Sequence, residues 1–524
     1  MKKHKFITRS RPIFATIALV SFTAVIAQAQ GGSSSSSQSS KAQQVQLSGR
    51  SQGGASVSVQ QSGSSSTSSS VNTINSTVQV QGNYAGSINA PMDGTGPVDL
   101  TFAQAIQLGL HYNLGGIASD ASSRQLRAQR LSALSNLLPN IYATLAESAA
   151  KTDLQTSGIS SSTFSSGSVG GGLSIPAVVG PYHYYSLEGN LSEQLSLTDL
   201  HNLKSANAAH AAAVLNMRDT REFVIVAVGG SYLRVLASIA LVESQEVQVQ
   251  YAQASYQQTA AQLQSGTKAE IDADKSLVEL QTEQQRLSSQ KGDLIKQKMQ
   301  LARIIGINPG RDLHLAEKLS TDIPVSDGAD ASIGYALKHR VDLQAAGQQL
   351  QAAEEAYRAS KSEYLPSFAV SGYYGLQGTN PNKGAGVFSA SATLTVPIFN
   401  SGKTKSDVQQ ADAAVMQRKA EATDQRGVVE DDVRSALVDL QVASHQVQVA
   451  QSNRTLAKST LQQSLDRYAA GVTNSVEVVQ SQETLASAEH DYISSLYSLN
   501  LSKISLARAM GNAEETIPDM LKGN

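Results

Sequence analysis

Two short runs hold the chain's most suggestive charge. Lys268, Glu270, Asp272, Asp274 and Lys275 follow Gly266, whereas Gly471 is followed by Thr473, Asn474 and Ser475 before Glu477. Asp272 and Glu477 stand at the same offset from their glycines. Carboxylates in a helix's first turn are favoured by the positive end of its dipole, so solvated helix-end charge is one reading. Covalent chemistry finds less support. The nine His are scattered, with no His-Glu-x-x-His spacing that would ligate a metal. Asp199 and His201 follow a strand-like stretch and align with Asn400 and Gly402 in the second half, so they read as a polar strand-to-helix junction. There is no Walker-type Gly-x-x-x-x-Gly-Lys-Ser/Thr, and no Gly-x-Ser-x-Gly elbow in a strand-to-helix setting. The absence of Cys excludes disulfides, thiolate metal sites and a catalytic thiol. An enzyme is not expected, nor a cofactor or a metal centre.

The elements around those glycines are long. "LQSGTKAEIDADKSLVEL" and "RYAAGVTNSVEVVQSQETL" each set a single Gly between two helical patterns. Val433, Leu440, Val447, Leu461 and Tyr468 recur at heptad spacing, broken only at Arg454, with Ala436, Ala443, Ala450, Ala457 and Ser464 interleaved. The first half repeats the register with Val228, Val235, Val242, Val249 and Tyr256 against Ser231, Ser238, Gln245, Ala252 and Thr259. Alternating large and small layers let helices approach closely. Helices of about 60 residues would span roughly 90 Å. Composition agrees, with 5% aromatic residues and no Trp. A net charge of −2 argues against a nucleic-acid partner, whose signature is a clustered basic excess.

The chain divides by composition and repetition. Residues 1–29 read as a signal peptide, with basic residues, the apolar run "IFATIALVSFTAVI" and a small-residue cleavage site at Ala27-Gln28-Ala29. Residues 30–96 are Ser/Gln/Gly-rich and read as a disordered leader. A first repeat spans 97–311, a linker 312–330, a second repeat 331–511 and a tail 512–524. No segment after the signal is long enough for a transmembrane helix, "FVIVAVGG" included, so any membrane span must be β.

Strand patterns supply that span. After each Leu-Pro (Leu138-Pro139 and Leu365-Pro366) the period falls to two. Phe388, Ala390, Ala392, Leu394, Val396 and Ile398 alternate with Val387, Ser389, Ser391, Thr393 and Thr395. One apolar and one small polar face is the pattern of a strand wetted on one side. The first five of those apolar residues are expected to face lipid. Four strands cannot close a barrel, and a bilayer does not tolerate open edges, so several copies must contribute. Three copies give twelve strands and a lumen wider than the side-chain-filled interior of an eight-stranded barrel.

The Leu-Pro strand starts, the duplicated strand hairpins, the heptad helices and the "RYAAGV" and "LARAMG" stretches together resemble the TolC-like outer-membrane efflux proteins. The likeness runs from Leu100 to about Gly511. It implies a mainly α fold with a membrane β-barrel: a homotrimer with a twelve-stranded barrel in the outer membrane and an α-helical tunnel through the periplasm. It also implies docking at Gly266 and Gly471 to a periplasmic adaptor of an inner-membrane pump. Acidic residues beyond such turns line the tunnel entrance in this family. Asp272 and Glu477 fit that position, with Asp274 beside them, although Gln480 stands where a second acidic residue would be expected. Tyr468 and Lys268 are the candidates for contacts that hold the entrance closed. Function is then expected to be passive conduction in a tripartite efflux or type I secretion system. The rival reading, a periplasmic coiled-coil adaptor or structural protein, would have no need of strands with an apolar outer face.

Overall fold

Heptad packing and period-two alternation produce the expected elements twice over. The computed structural model describes residues 57–59, 78–80, 83–89, 96–153, 178–322 and 328–521. Two short strands, β1 (Val57–Val59) and β2 (Val78–Val80), precede the first repeat. That repeat comprises β3 (Val98–Leu100), α1 (Phe102–Tyr112), α2 (Leu114–Ser135), β4 (Asn140–Asp153), β5 (Val178–Leu195), α3 (Leu197–Gln264) and α4 (Glu270–Ile305). After β6 (Leu313–Leu315), the second repeat runs through α5 (Ala329–His339), α6 (Val341–Ser362), β7 (Ser367–Gly378) and β8 (Ala385–Thr395). It ends with α7 (Lys403–Ala469) and α8 (Ser475–Met510), and α9 (Ala513–Thr516) follows. Corresponding helices match in length: α1 and α5 have 11 residues each, α2 and α6 have 22, and α4 and α8 have 36.

The outgoing helices are longer than expected and the returning ones shorter. α3 has 68 residues and α7 has 67, so each rises roughly 100 Å. The heptad seam of α7 is buried at Val433, Ala436, Leu440, Ala443, Val447, Ala450, Ala457, Leu461 and Ser464. Arg454, the break in that seam, reaches outward to Glu489 at 2.8 Å and lies over the Tyr492 ring. α3 also carries an 18-residue window with mean hydropathy 1.9, long and apolar enough to cross a membrane, but 61% of it is buried. Val224, Ile225, Val226 and Val228 are wholly enclosed there by Phe102, Leu301, Ile305 and Ile504, among others. This is a core helix.

Each helix end has a local cause. Thr101 and Gln104 form a capping box on α1. The Ser196 side chain accepts from the Asp199 backbone N–H to start α3. α4 and α8 stop at Gly306 and Gly511, both left-handed. The break between α1 and α2 is set by buried Asn113, whose Oδ1 accepts from Gly115 N at 2.9 Å. Its Nδ2 donates to the Ile304 and Tyr84 carbonyls.

Four strands form one antiparallel sheet in the order β4-β5-β7-β8. β3 and β6 pair in parallel elsewhere, and β1 pairs with β2. Val396, expected within the last strand, lies one residue past the end of β8, as does Ile398 further on. The alternation of residue types persists there, but the ladder to β7 ends at Ser367↔Thr395 where the chain turns toward α7. The leader needs a correction as well. Asn83–Ala85 forms a 3-10 turn that docks with Tyr84 buried, because one tyrosine and two backbone hydrogen bonds suffice to order a short segment. The expected signal peptide, most of the leader, the β4–β5 connection and residues 323–327 and 522–524 lie outside the described residues.

Candidate functional site

The two hairpin turns are built alike. Gly266 and Gly471 have φ of +74° and +73°, a left-handed conformation in which a side chain would be strained. At the first turn Gly266 N donates to Leu263 O and Thr267 N to Gln262 O; at the second Gly471 N donates to Tyr468 O and Val472 N to Arg467 O. These paired bonds satisfy the carbonyls left over where α3 and α7 end. α4 and α8 then begin with Asp272 and Glu477 in their first turns.

Charge at the turns is not shared equally. Glu477 is drawn inward: Arg467 holds it at 3.0 Å, the Thr473 hydroxyl donates to it, and its N–H is capped by Asn474 Oδ1. Asp272 is half-buried and Asp274 exposed. No hydrogen bond or ion pair joins Asp272 to Glu477 among the described residues. The structure does bring Lys268 and Tyr468 together, with Nζ 4.9 Å from the ring centroid, so a cation–π contact ties one turn to the other. The Arg467 and Thr473 contacts carried no sequence signal, because the turn alone folds α7 back onto α8. Val472 and Val476 add exposed apolar surface at the second turn.

At the opposite end of the helices, strand register sorts every residue of the sheet onto one of two faces. Directly paired residues share a face. Phe388, Ala390, Ala392 and Leu394 of β8 pair with Tyr374, Gly372, Val370 and Phe368 of β7. β5 continues that face with Leu187, Leu191 and Leu195, and β4 with Ile141, Ala143 and Leu145. It is open to the outside: Phe388 is 78% exposed and Leu394 65%. The other face is polar and internally bonded. Asn190 Nδ2 donates to Thr144 Oγ1 at 3.1 Å, Ser371 and Ser391 hydroxyls meet at 2.8 Å, and Gln377 Nε2 donates to Glu188 at 2.9 Å. The outermost strands, β4 and β8, each have one unpaired edge among the described residues.

Between these ends a buried ionic network joins the repeats. Arg508 contacts Glu222 at 3.0 Å and also Asp219, and its guanidinium covers the Phe223 ring. Arg340, at the α5–α6 break, forks onto Asp342 and reaches Asp432 at 2.6 Å. Burial, outweighing the Arg508 charge, pushes the Glu222 carboxyl up to about 7. At the strand-to-helix junction His201 meets Glu355 at 2.7 Å, so the residues expected to be a polar junction form one. No group of three or more His, Cys, Asp or Glu side chains is placed to hold a metal ion among the described residues.

Comparison with known proteins follows the same outline. The family model described as "Outer membrane efflux protein" matches residues 184–307 and 333–512, together more than half of the chain. Among curated proteins, the chain is 23% identical over 261 residues to a probable outer membrane lipoprotein, SilC, of Salmonella typhimurium, covering 49% of this chain and 56% of SilC. It is 23% identical over 218 residues to the toluene efflux pump outer membrane protein TtgF of Pseudomonas putida, covering 39% of this chain and 45% of TtgF. The chain thus spans about half the length of the curated relatives it matches. Among solved structures, the Campylobacter jejuni CmeC outer membrane channel superposes with a TM-score of 0.66 at 16% identity, over 82% of this chain and 92% of CmeC.

Proposed function

The chain belongs to the outer membrane efflux protein family, and from that premise we propose that it is the outer-membrane duct of a tripartite efflux or type I secretion system. Three copies close a twelve-stranded barrel from four strands each, and their helices form a tunnel through the periplasm. One observation carries this reading: a four-stranded sheet, unpaired at both edges among the described residues, whose outer face is mostly apolar and largely exposed apart from carboxylates such as Glu147 and Glu193. In water such a face and such edges are a liability; in lipid the face is satisfied, and neighbouring copies satisfy the edges. A second stripe supports the copies. Val442, Val449 and Leu456 form an exposed heptad row on α7, and Ile271 and Val278 another on α4, so one protomer's α7 has a complementary surface to meet on the next. The periplasmic adaptor reading gives no use to the sheet.

In this proposal the Gly266 and Gly471 turns form the inner end, where an adaptor bound to an inner-membrane pump docks. Asp272 lines the entrance with Glu477 behind it, and the Lys268–Tyr468 contact holds the turns together in the closed state. Transport is passive and requires no catalytic group. The sequence boundaries of signal, leader, repeats, linker and tail stand with this proposal as its domain plan.

The test is a pair of charges on one strand. Leu394 faces outward, while its neighbour Thr393 pairs with Ala369 on the polar face. An Arg on a lipid face costs roughly 2–4 kcal/mol at the bilayer midplane and less near the interface. Leu394→Arg is expected to lower the yield of detergent-extracted trimer sharply, and Thr393→Arg to leave it near the unmutated level. Equal yields from the two variants would refute the barrel.

A further inference from the structure

The two repeats differ at the end of one strand. Ile141 and Phe368 each stand two residues after the Pro of a Leu-Pro, and they pair with Leu191 and Leu394, so the two strand hairpins share one register here. Their ladders also stop at equivalent pairs, Asn140↔Ser192 and Ser367↔Thr395. Beyond that point β5 runs on. Glu193, Gln194 and Leu195 pair with Val370, Ala369 and Phe368 of β7, and so make the joint between the repeats. Their counterparts after β8, Val396, Pro397 and Ile398, have no ladder partner among the described residues. These residues keep the apolar alternation without the strand, and Ile398 is 95% exposed.

The missing partner can be read from the same symmetry. β4 is the counterpart of β7, and its outer edge is unpaired among the described residues. Counted from the two Leu-Pro pairs, Val370, Ala369 and Phe368 correspond to Ala143, Tyr142 and Ile141. We propose that the joint between repeats recurs between copies of the chain: residues 396–398 complete β8 by pairing with β4 of the next copy, Val396 opposite Ala143, Pro397 opposite Tyr142 and Ile398 opposite Ile141. This rests on the barrel reading above and adds the register of its seams.

Local chemistry fits that register. Residues two apart along a strand direct their N–H groups to the same side. Val396 and Ile398 thus bond the next copy, while Pro397, which has no N–H, faces β7, where the ladder has already stopped. A proline in the extension therefore forfeits no bond. Ile398 and Ile141, 95% and 72% exposed on one protomer, cover each other on the outward face. The helices below repeat the relation. Ser205 of α3 donates to the Ala352 carbonyl of α6 at 2.8 Å. Counted back from the turn glycines and from the Leu-Pro pairs, the matching positions are Gln410 of α7 and Gln125 of α2, both exposed within the protomer. The occupant of each edge is a second copy of this chain, because the outgoing edge after β8 and the incoming edge at β4 are the two halves of one joint.

The chain has no Cys, so introduced thiols report single contacts. Ile398→Cys is combined in turn with Ile141→Cys, Ala143→Cys and Leu145→Cys in the full-length protein in detergent. Each is treated with a bifunctional thiol reagent of about 5 Å span, the Cβ separation of directly opposed residues; diagonal neighbours stand about 7–8 Å apart. On denaturing gels the Ile141 combination is expected to run chiefly as a covalent trimer, the Ala143 combination to link weakly and the Leu145 combination not at all. Each single variant should stay monomeric on the gel while keeping the unmutated size in detergent. Strongest linking at Ala143 or Leu145, or no linking in protein that is trimeric in detergent, would overturn the register and leave the barrel standing. Protein that is monomeric in detergent would remove the barrel itself, and this joint with it.

Discussion

Single residues decide how the proposed entrance is held and how the helix bundle responds to pH. A partly exposed cation–π contact is worth about 0.5–1 kcal/mol. Tyr468→Ala should therefore shift each protomer toward opening by a factor of roughly 2–5, seen in planar bilayers as longer dwell at high conductance. Unchanged dwell times would remove Lys268–Tyr468 from the closing contacts. Charge at the entrance should divide unevenly, because Arg467 and Thr473 already engage Glu477 while the Asp272 carboxylate has no such partner among the described residues. Asp272→Asn is expected to reduce cation selectivity more than Glu477→Gln, with the double variant losing divalent-cation block as well. If conductance, selectivity and block all match the unmutated channel, these carboxylates are only solvated helix-end charges. Glu222 acts on stability instead. Its carboxyl is raised from 4.5 to about 7 in the folded state, so folding takes up a proton between those values. Stability contributed by that group is then greatest at low pH and falls as pH rises through the window, by up to about 3 kcal/mol. Tm measured from pH about 7.5 down to about 5.5 should rise for the unmutated protein more than for Glu222→Gln. Parallel profiles would mean that other groups carry the dependence.

Elements were legible wherever one sequence period governs one environment. The heptads of α7 named most of its buried row and those of α3 part of it, Ser231, Ser238, Val249 and Tyr256 being only half-buried, and alternation named the faces of β7 and β8, because there one face meets a single kind of surroundings. The hairpin turns were legible from lone glycines, which the left-handed φ at Gly266 and Gly471 requires. Less was visible where partners converge from afar. Their local bonds, to Gly115 and Asp342, do not by themselves mark Asn113 and Arg340 as the residues that break α1 from α2 and α5 from α6, since the bonds that bury them go to Tyr84, Ile304 and Asp432. The network of Asp219, Glu222, Arg340, Asp342, Asp432 and Arg508 draws on four helices, so spacing along the chain could not reveal it. Val396 shows the limit at an element's end: residue type continues the alternation after the hydrogen-bond ladder has stopped. At the candidate site, sequence offset identified Asp272 and Glu477 as equivalent. Their different partners are a product of the turns, where Arg467 happens to have no counterpart in "AQLQSG".

At the scale of the whole molecule, the leader separates what is tethered from what is built in. Tyr84 is buried with its ring 6.0 Å from that of Phe223, and Asn113 Nδ2 donates to its carbonyl at 2.6 Å. Leu114 N donates to Gly86 O and Ile88 N to Tyr112 O, so the segment splints the break between α1 and α2. The fit is close: a Cβ at Gly115 would lie 2.5 Å from the Tyr84 ring. Upstream, β1 and β2 pair over only three residues each, too few to be stable alone. Deleting Gly31 to Ser70 removes β1 with the Ser-rich stretch, and should leave trimer yield and unfolding temperature unchanged. Extending the deletion through Asn89 withdraws the Tyr84 anchor and uncovers Asn113, an apolar loss comparable to emptying a large aromatic site, roughly 3–5 kcal/mol. The Tyr84→Ala variant isolates that loss from the change in length. Thermal unfolding of the three proteins in detergent should show the short deletion matching the full chain, with the long deletion and Tyr84→Ala both destabilised. If the long deletion unfolds where the short one does, the docked segment is merely adsorbed on the helices and the joint between α1 and α2 holds without it.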